Sequence, residues 1–197
     1  MKQRETPPLK AEAAYLAAFG QIMKRIQHVV AKNPGKAIMA CVAGGAAVHL
    51  YTGGRVSKDI DAKVMARFLP PDNLEVTYRG KDGHARLLYF DTQYNDTYAL
   101  LHEDAYDDSL PIRVPGVDPA RLDVRLLSPL DLAVSRLSRY ETHDQEDIRA
   151  LAQAGLVDAA ALRRRAEEAL PSYVGDVKRV KTSNALAEKL VRESAGQ

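Results

Sequence analysis

The chain has 197 residues, of which 46% are hydrophobic and 27% charged, and its formal net charge is +2 at pH 7. These values suit one domain, or a compact domain with a helical extension, and the small net charge does not by itself indicate a nucleic-acid binder. No apolar run approaches the roughly 20 residues of a membrane-spanning helix, so no membrane association is expected. The N-terminal stretch MKQRETPPLK lacks the apolar core of a signal peptide, and the only cysteine, Cys41, lies in an apolar run. We therefore expect a reduced, cytoplasmic protein.

The first part of the chain alternates helix and strand patterns. Apolar residues at helical spacing predict a helix from Leu9 to about Ala31, which Asn33-Pro34-Gly35 is expected to end. A buried strand is predicted over Ala37–Ala43. A short helix over Ala46–Tyr51, closed by a pair of glycines, then leads to a second strand over Ser57–Met65.

The rest of the chain changes from strands to helices. Three strand-like runs separated by turn sequences fall between 74 and 102, and Arg121–Leu127 has the pattern of a further strand. Ser128-Pro129 is a typical helix start, with serine as the N-cap and proline at the first helical position. The predicted helices that follow are Pro129–Tyr140, Asp144–Ala154, Asp158–Leu170 and about Asp176–Glu193. We expect an α+β fold, with a small mixed β-sheet core and flanking helices over residues 1–127 and a C-terminal helical region over 128–197.

An Asp-Ile-Asp triplet lies within the second predicted strand. Residues two apart on a strand point to the same face, so Asp59 and Asp61 project together while Ile60 faces the core. Two carboxylates at this spacing repel each other unless a cation lies between them. Mg²⁺ prefers oxygen ligands and typically uses one or two carboxylates plus substrate phosphates. The triplet therefore predicts half of a magnesium site.

Two glycines, Gly44 and Gly45, lie at the predicted turn from the first strand into the short helix. Glycine allows the backbone to approach a ligand closely, and the N-terminus of a helix presents N–H groups that bind phosphate. The order strand, Gly-Gly, helix, Asp-x-Asp strand predicts one pocket. In it, a phosphate chain would lie on the glycine turn and its metal ion on the carboxylates.

This combination resembles the nucleotidyltransferase superfamily related to DNA polymerase β, whose motif is Gly-Gly or Gly-Ser, a spacer, and then Asp-hydrophobic-Asp-hydrophobic. Here AGG precedes DIDA by thirteen residues, and Ala62 occupies the last hydrophobic position. The later stretches LSPLDLAVSRLSRY and DQEDIRAL extend the match over roughly Ala37 to Ala152. In this respect the chain is similar to the abortive-infection type of toxin nucleotidyltransferases and their uncharacterised relatives.

The resemblance implies transfer of a nucleoside monophosphate from an NTP to an acceptor such as RNA (tRNA) or a protein, and an antitoxin protein as a partner. By the same resemblance, Asp59 and Asp61 would hold Mg²⁺, and Ser57 would contact the nucleotide phosphate. Asp147 would occupy a later acidic position. Arg136 stands where the family usually has lysine, and arginine keeps the charge but not the compact ammonium.

The superfamily also has a third acid on a neighbouring strand, which serves as a metal ligand and general base. Asp91 and Asp123 lie in predicted strands, and Asp104 lies just past a strand end beside His102. Asp123 has the most suitable local sequence, whereas the order of the chain favours Asp104 or Asp91. If none of them reaches the acid pair, the alternative is a non-catalytic nucleotidyltransferase-like module that binds a nucleotide or a partner.

Two basic stretches, Arg163–Arg165 and Lys178–Lys181, make the C-terminal third locally basic. Solvated helix faces explain most stretches of this kind, and contact with the phosphates of a nucleic acid is the functional alternative.

Overall fold

The computed structural model describes residues 8–30 and 37–194, which form six α-helices and seven strands. The helices are α1 (Ala13–Val30), α2 (Gly44–Thr52), α3 (Pro129–Ser135), α4 (Thr142–Gln153), α5 (Ala159–Ala169) and α6 (Val177–Ser194). The strands are β1 (Ile38–Val42), β2 (Asp59–Ile60), β3 (Ala62–Val64), β4 (Glu75–Arg79), β5 (Ala85–Phe90), β6 (Leu110–Pro111) and β7 (Leu122–Leu126). The predicted α+β class is confirmed. The Asn33-Pro34-Gly35 sequence lies outside the described residues.

The chain divides into two compact units. The first unit comprises Met1–Tyr94 and Ser109–Leu126, and the second comprises Asn95–Asp108 and Leu127–Gln197. All seven strands, together with α1 and α2, belong to the first unit, and α3 to α6 belong to the second. None of the helices in the described part of the chain is both long and apolar enough to span a membrane.

The first unit contains two mixed sheets. In one sheet the strand order is β3-β1-β7-β6, with β1 antiparallel to β3 and parallel to β7. In the other sheet the order is β2-β5-β4, with β5 parallel to β2 and antiparallel to β4. The single strand predicted over Ser57–Met65 is therefore wrong. Its first part pairs with β5 and its second part with β1, so the chain passes from one sheet to the other at Asp61.

Helix α1 covers one face of the second sheet. Its helical spacing places Phe19, Ile22 and Met23 on one side, where they are fully buried, and the helix packs against β4 and β5. Strand β4 alternates between exposed and buried residues, with Glu75 exposed and Val76 buried. The other face of this sheet is the one that solvent reaches.

The second unit is a group of packed helices. Its first helix begins at the predicted Ser128-Pro129 sequence, where the Ser128 hydroxyl accepts a hydrogen bond from the N–H of Asp131. Helix α5 packs against α3 and α6, and α6 also packs against α4.

The last of the three strand-like runs predicted between 74 and 102 is wrong, because this segment forms turns. The N–H of Thr97 donates to the Asn95 side chain, which favours a turn over a strand.

Candidate functional site

Strand β1 leads into α2 almost directly, and the two glycines of the motif are the first residues of the helix. Gly44 has a φ of +62°, which favours glycine, and a Cβ built on it would lie 2.0 Å from Oδ2 of Asp61. A Cβ on Gly45 would lie 2.9 Å from the Ser57 hydroxyl. Only glycine at these two positions lets the acidic segment approach the start of the helix this closely.

The two aspartates of the triplet are half-buried, whereas Ile60 between them is fully buried. The Ser57 hydroxyl, itself buried, donates a hydrogen bond of 2.6 Å to Oδ1 of Asp59. The N–H of Ala43, the residue before the helix, donates to the main-chain carbonyl of Asp61 over 2.8 Å. The structure thus brings Gly44, Gly45, Ser57, Asp59 and Asp61 together in the first unit.

The start of α2 is electrostatically suited to an anion. Its N-cap residue is Ala43, whose side chain cannot accept a hydrogen bond from the first-turn N–H groups. The positive end of the helix dipole stabilises negative charge at this position, both on the nearby Asp61 carboxylate and on a phosphate. The glycine turn therefore has the chemistry of a phosphate site.

Among the three candidates for the third acid, Asp91 lies next to the acid pair. Parallel pairing of β2 with β5 matches Asp59 with Tyr89 and Ile60 with Phe90, and Asp91 follows one residue later. The N–H of Asp91 donates to the carbonyl of Ile60 over 3.1 Å. One carboxylate oxygen of Asp91 accepts the N–H of Gln93 at 2.8 Å.

The other two candidates occupy different places. Asp123 pairs with Met39, near the start of β1, whereas the acid pair adjoins the end of that strand. Three residues along a strand span roughly 10 Å, so Asp123 does not join the pair. Asp104 belongs to the second unit, where its N–H donates to Nδ1 of His102 and stabilises a turn.

A family model described as "nucleotidyltransferase of unknown function (DUF6036)" matches residues 17–192. The chain belongs to this nucleotidyltransferase family. A nucleotidyltransferase takes an NTP as its donor substrate, so the glycine turn and the adjoining carboxylates are the candidate donor site. No curated protein and no solved structure matches the chain.

The nucleotidyltransferase has a pair of carboxylates suited to a divalent cation. Among residues 8–30 and 37–194, no group of three or more His, Cys, Asp or Glu side chains is placed to hold a metal ion. Two carboxylates nevertheless fit the chemistry of Mg²⁺, because this ion commonly completes its coordination with substrate phosphates and water. Asp59 and Asp61 could therefore hold Mg²⁺ together with the phosphates of an NTP.

Arg136 and Asp147, predicted from the resemblance as nucleotide-binding residues, form an ion pair in the second unit. Nη2 of Arg136 lies 2.8 Å from Oδ2 of Asp147, and Nη1 lies 3.8 Å from Asp144. All three side chains are largely buried, and Nε of Arg136 has no hydrogen-bond partner among the described residues. These contacts give Arg136 and Asp147 a structural role that the sequence motif does not reveal.

The motif does not include two further residues that lie beside the candidate site. Arg55 is exposed, and its guanidinium lies 3.4 Å from the position of a Cβ on Gly45, which brings positive charge beside the glycine turn. Tyr89 adjoins Asp59 across the sheet. Burial raises the pKa of the Tyr89 hydroxyl, as do the charges of Asp59, Asp91 and Asp61. This hydroxyl therefore remains protonated and can donate a hydrogen bond. Arg55 lies two residues before Ser57, and this nearness to the motif is the one sequence signal that could have indicated Arg55.

Proposed function

We propose that this chain is a Mg²⁺-dependent nucleotidyltransferase that transfers a nucleoside monophosphate from an NTP to an acceptor hydroxyl. The observation that carries the proposal is the close approach of the Asp61 carboxylate to Gly44 at the start of α2. The N-terminus of a helix and a pair of carboxylates are thereby neighbours, and this supports the binding of a metal-bound triphosphate there.

The donor nucleotide would be bound by its phosphates. The N–H groups of the first turn of α2 and the Arg55 guanidinium would contact phosphate oxygens, and the hydroxyl of Ser57 would orient Asp59. Asp59 and Asp61 would hold Mg²⁺, which when bound would neutralise charge on the phosphate oxygens. Charge neutralisation and positioning are the main sources of rate enhancement in phosphoryl transfer.

In the transfer step, the acceptor oxygen attacks the α-phosphorus and forms a new O–P bond. The bond between the α-phosphorus and the oxygen bridging to the β-phosphate breaks, and pyrophosphate leaves. We propose that Asp91 accepts the proton of the acceptor hydroxyl, because it is the remaining acid that adjoins the pair. An RNA such as tRNA or a protein as acceptor, and a role as a toxin with an antitoxin partner, remain proposals based on the resemblance.

The test is incubation of the protein with each labelled NTP, Mg²⁺ and total RNA, and in parallel with cell proteins or small metabolites. The Asp59→Asn/Asp61→Asn variant should lose transfer by orders of magnitude, because the ion supplies several kcal/mol of transition-state stabilisation. Its melting temperature without ligand should hold or rise, since two adjacent carboxylates repel each other. The increase in melting temperature that Mg²⁺ and NTP produce should disappear.

Asp82→Asn is the matched control, because Asp82 is an exposed acid in the turn between β4 and β5 of the same unit. This variant should retain both transfer and the ligand-induced stabilisation. If the double variant keeps full transfer and the same stabilisation, the acid pair is not the metal site. Stabilisation of the unaltered protein without transfer to any acceptor would instead support the non-catalytic nucleotide-binding alternative.

A further inference from the structure

The first unit has an open cleft of about 650 Å³ at the end of the second sheet. Its walls come from two segments, 70–75 before and at the start of β4, and 89–93 at the end of β5. The volume lies within the range of about 300–1,000 Å³ that is usual for small-molecule sites. The cleft is therefore large enough for a substrate of modest size.

Tyr89 connects this cleft to the acid pair. It lines the cleft, and its Cα partners are Asp59 on one neighbouring strand and Glu75 on the other. Paired residues on adjacent strands point to the same face of a sheet, so the three side chains form a row across the exposed face. Strands in a sheet are about 4.8 Å apart, which puts Glu75 at roughly 10 Å from Asp59. A molecule in the cleft would lie within reach of a nucleotide bound at the acids.

The charged side chains that line the cleft are acidic. Asp72 and Glu75 line it, Thr92 and Gln93 add uncharged polar groups, and none of the described residues that line it is basic. Arg25 reaches this region from α1, where it donates hydrogen bonds to the main-chain carbonyls of Asn73 and Glu75. Those bonds fix the backbone at the start of β4. The carboxylates would repel a triphosphate, so the cleft suits the other substrate of the transfer.

We propose that this cleft is the acceptor pocket and that the acceptor is a small, positively charged molecule carrying a hydroxyl group. This inference rests on the proposed nucleotidyl transfer. Asp72 and Glu75 would attract the ammonium group, and the face of the Tyr89 ring would stabilise it through a cation–π interaction. The acceptor oxygen forms the new bond to the α-phosphorus, its proton passes to Asp91, and pyrophosphate leaves. An RNA acceptor would bring its phosphates against the two carboxylates of the cleft, which disfavours it.

The inference is tested with labelled NTP, Mg²⁺ and four probe acceptors: choline, ethanolamine, glucosamine and a polyamino sugar such as kanamycin. Glycerol is the uncharged control acceptor, and total RNA is the polyanionic one. We expect label on at least one amine, with little on glycerol or RNA. In the Asp72→Asn/Glu75→Gln variant the KM for that amine should rise at least tenfold. The stabilisation by Mg²⁺ and NTP should stay unchanged, because the donor site is intact.

Two results would overturn the inference while leaving the proposed function in place. One is transfer to RNA or protein but to none of the amines, and the other is an amine KM that the double variant leaves unchanged. Tyr89→Leu adds an independent test, because it keeps an apolar wall but removes the ring face, and it should also raise the amine KM. If Mg²⁺ and NTP neither stabilise the unaltered protein nor label any acceptor, the proposed function itself fails, and the inference fails with it. Asp82→Asn should behave like the unaltered protein throughout.

Discussion

In the second unit three almost fully buried aspartates each contact an arginine, whereas Asp59 and Asp91 of the first unit are half-buried and accept hydrogen bonds from uncharged donors. The pairs in the second unit are Asp131–Arg165, Asp144–Arg139 and Asp147–Arg136. In the first unit, Asp59 accepts a hydrogen bond from Ser57 and Asp91 from the N–H of Gln93. Asp61 lies over the Cα of Gly44.

The difference indicates structural roles for the acids of the second unit. A buried charge without a partner is strongly unfavourable, so the acids of the second unit require their arginines for the unit to fold. Asp59 and Asp61 lie on either side of the buried Ile60, and like charges at short range repel each other. A divalent cation held by both carboxylates would remove this repulsion, in agreement with the proposed magnesium site.

The contrast between the two units is tested most directly by substituting two arginines of one basic stretch. Arg165 donates to both Asp131 and Asp108 at 2.8 Å and is largely buried, whereas Arg163 is 57% exposed and pairs with Glu167 and Glu188. Arg165→Met should destabilise the protein by about 3–5 kcal/mol, because it leaves the buried Asp131 carboxylate without its charged partner. Arg163→Met should change stability by no more than about 0.5–1 kcal/mol, because exposed pairs contribute little.

Urea unfolding of both variants measures this difference in the free energy of unfolding. Equal effects would contradict the assignment of Arg165 to a structural role. The same contacts correct the interpretation of Arg163–Arg165 as a surface that binds phosphates, because the Arg165 guanidinium is held inside the unit by two carboxylates. Only Arg163 and Arg164 of this stretch are exposed.

Gly44 allows a second test, this time on the acids of the first unit. Gly44→Ala should destabilise the protein by about 2–3 kcal/mol, since it combines an unfavourable φ with displacement of the Asp61 carboxylate. Gly83→Ala is the matched control, because Gly83 also has a positive φ but a Cβ on it would meet nothing within 4 Å. That variant should cost only about 1–2 kcal/mol.

The difference between the two glycine variants isolates the effect of the displaced carboxylate. Gly44→Ala should also weaken the stabilisation by Mg²⁺ and NTP, whereas Gly83→Ala should not. If both variants lose the same stability and both retain the ligand-induced stabilisation, the contact between Asp61 and Gly44 has no part in the donor site.

The glycine turn and the acid pair could be predicted from the sequence because they lie within one strand–helix–strand segment. The positive φ of Gly44 follows from a local rule, because glycine adopts it readily, whereas the rule for two side chains on one strand does not apply to Asp59 and Asp61, since Asp61 lies between two strands. The transition between sheets at Asp61 could not be predicted in this way, because it depends on pairing with β1 and β5, which are distant in the chain.

The choice of Asp91 over Asp123 has the same cause. Both residues follow similar apolar patterns, and only strand order and register show that β5 adjoins the acid pair while Asp123 lies near the far end of β1. The pairing of Arg136 with Asp147 joins the turn after α3 to α4, and a motif defined by the positions of charged residues does not distinguish such a pair from a ligand site. The strand predicted in the segment after Tyr94 does not form, because the Asx turn at Asn95 outweighs the strand propensity of the apolar residues there.

Asp144 provides a smaller test of the same comparison, through the dependence of stability on pH. Burial alone would raise the pKa of Asp144, but hydrogen bonds from the Arg139 side chain and the Glu141 N–H, with the charges of Arg139 and Arg136, lower it below its ordinary value of 3.8. At pH values near and below that ordinary value, the unfolded chain binds a proton that the folded protein does not. The free energy of unfolding therefore falls as the pH falls through this window, and the contribution of Asp144 is fully present above it.

Asp144→Asn should lower stability at pH 7 and flatten the decline between about pH 5 and pH 2, as measured by urea unfolding at each pH. Arg139→Gln should flatten the same region, because it removes the main donor to the carboxylate. Curves for both variants that run parallel to that of the unaltered protein would show that the ion pair of Asp144 with Arg139 does not set its acid stability.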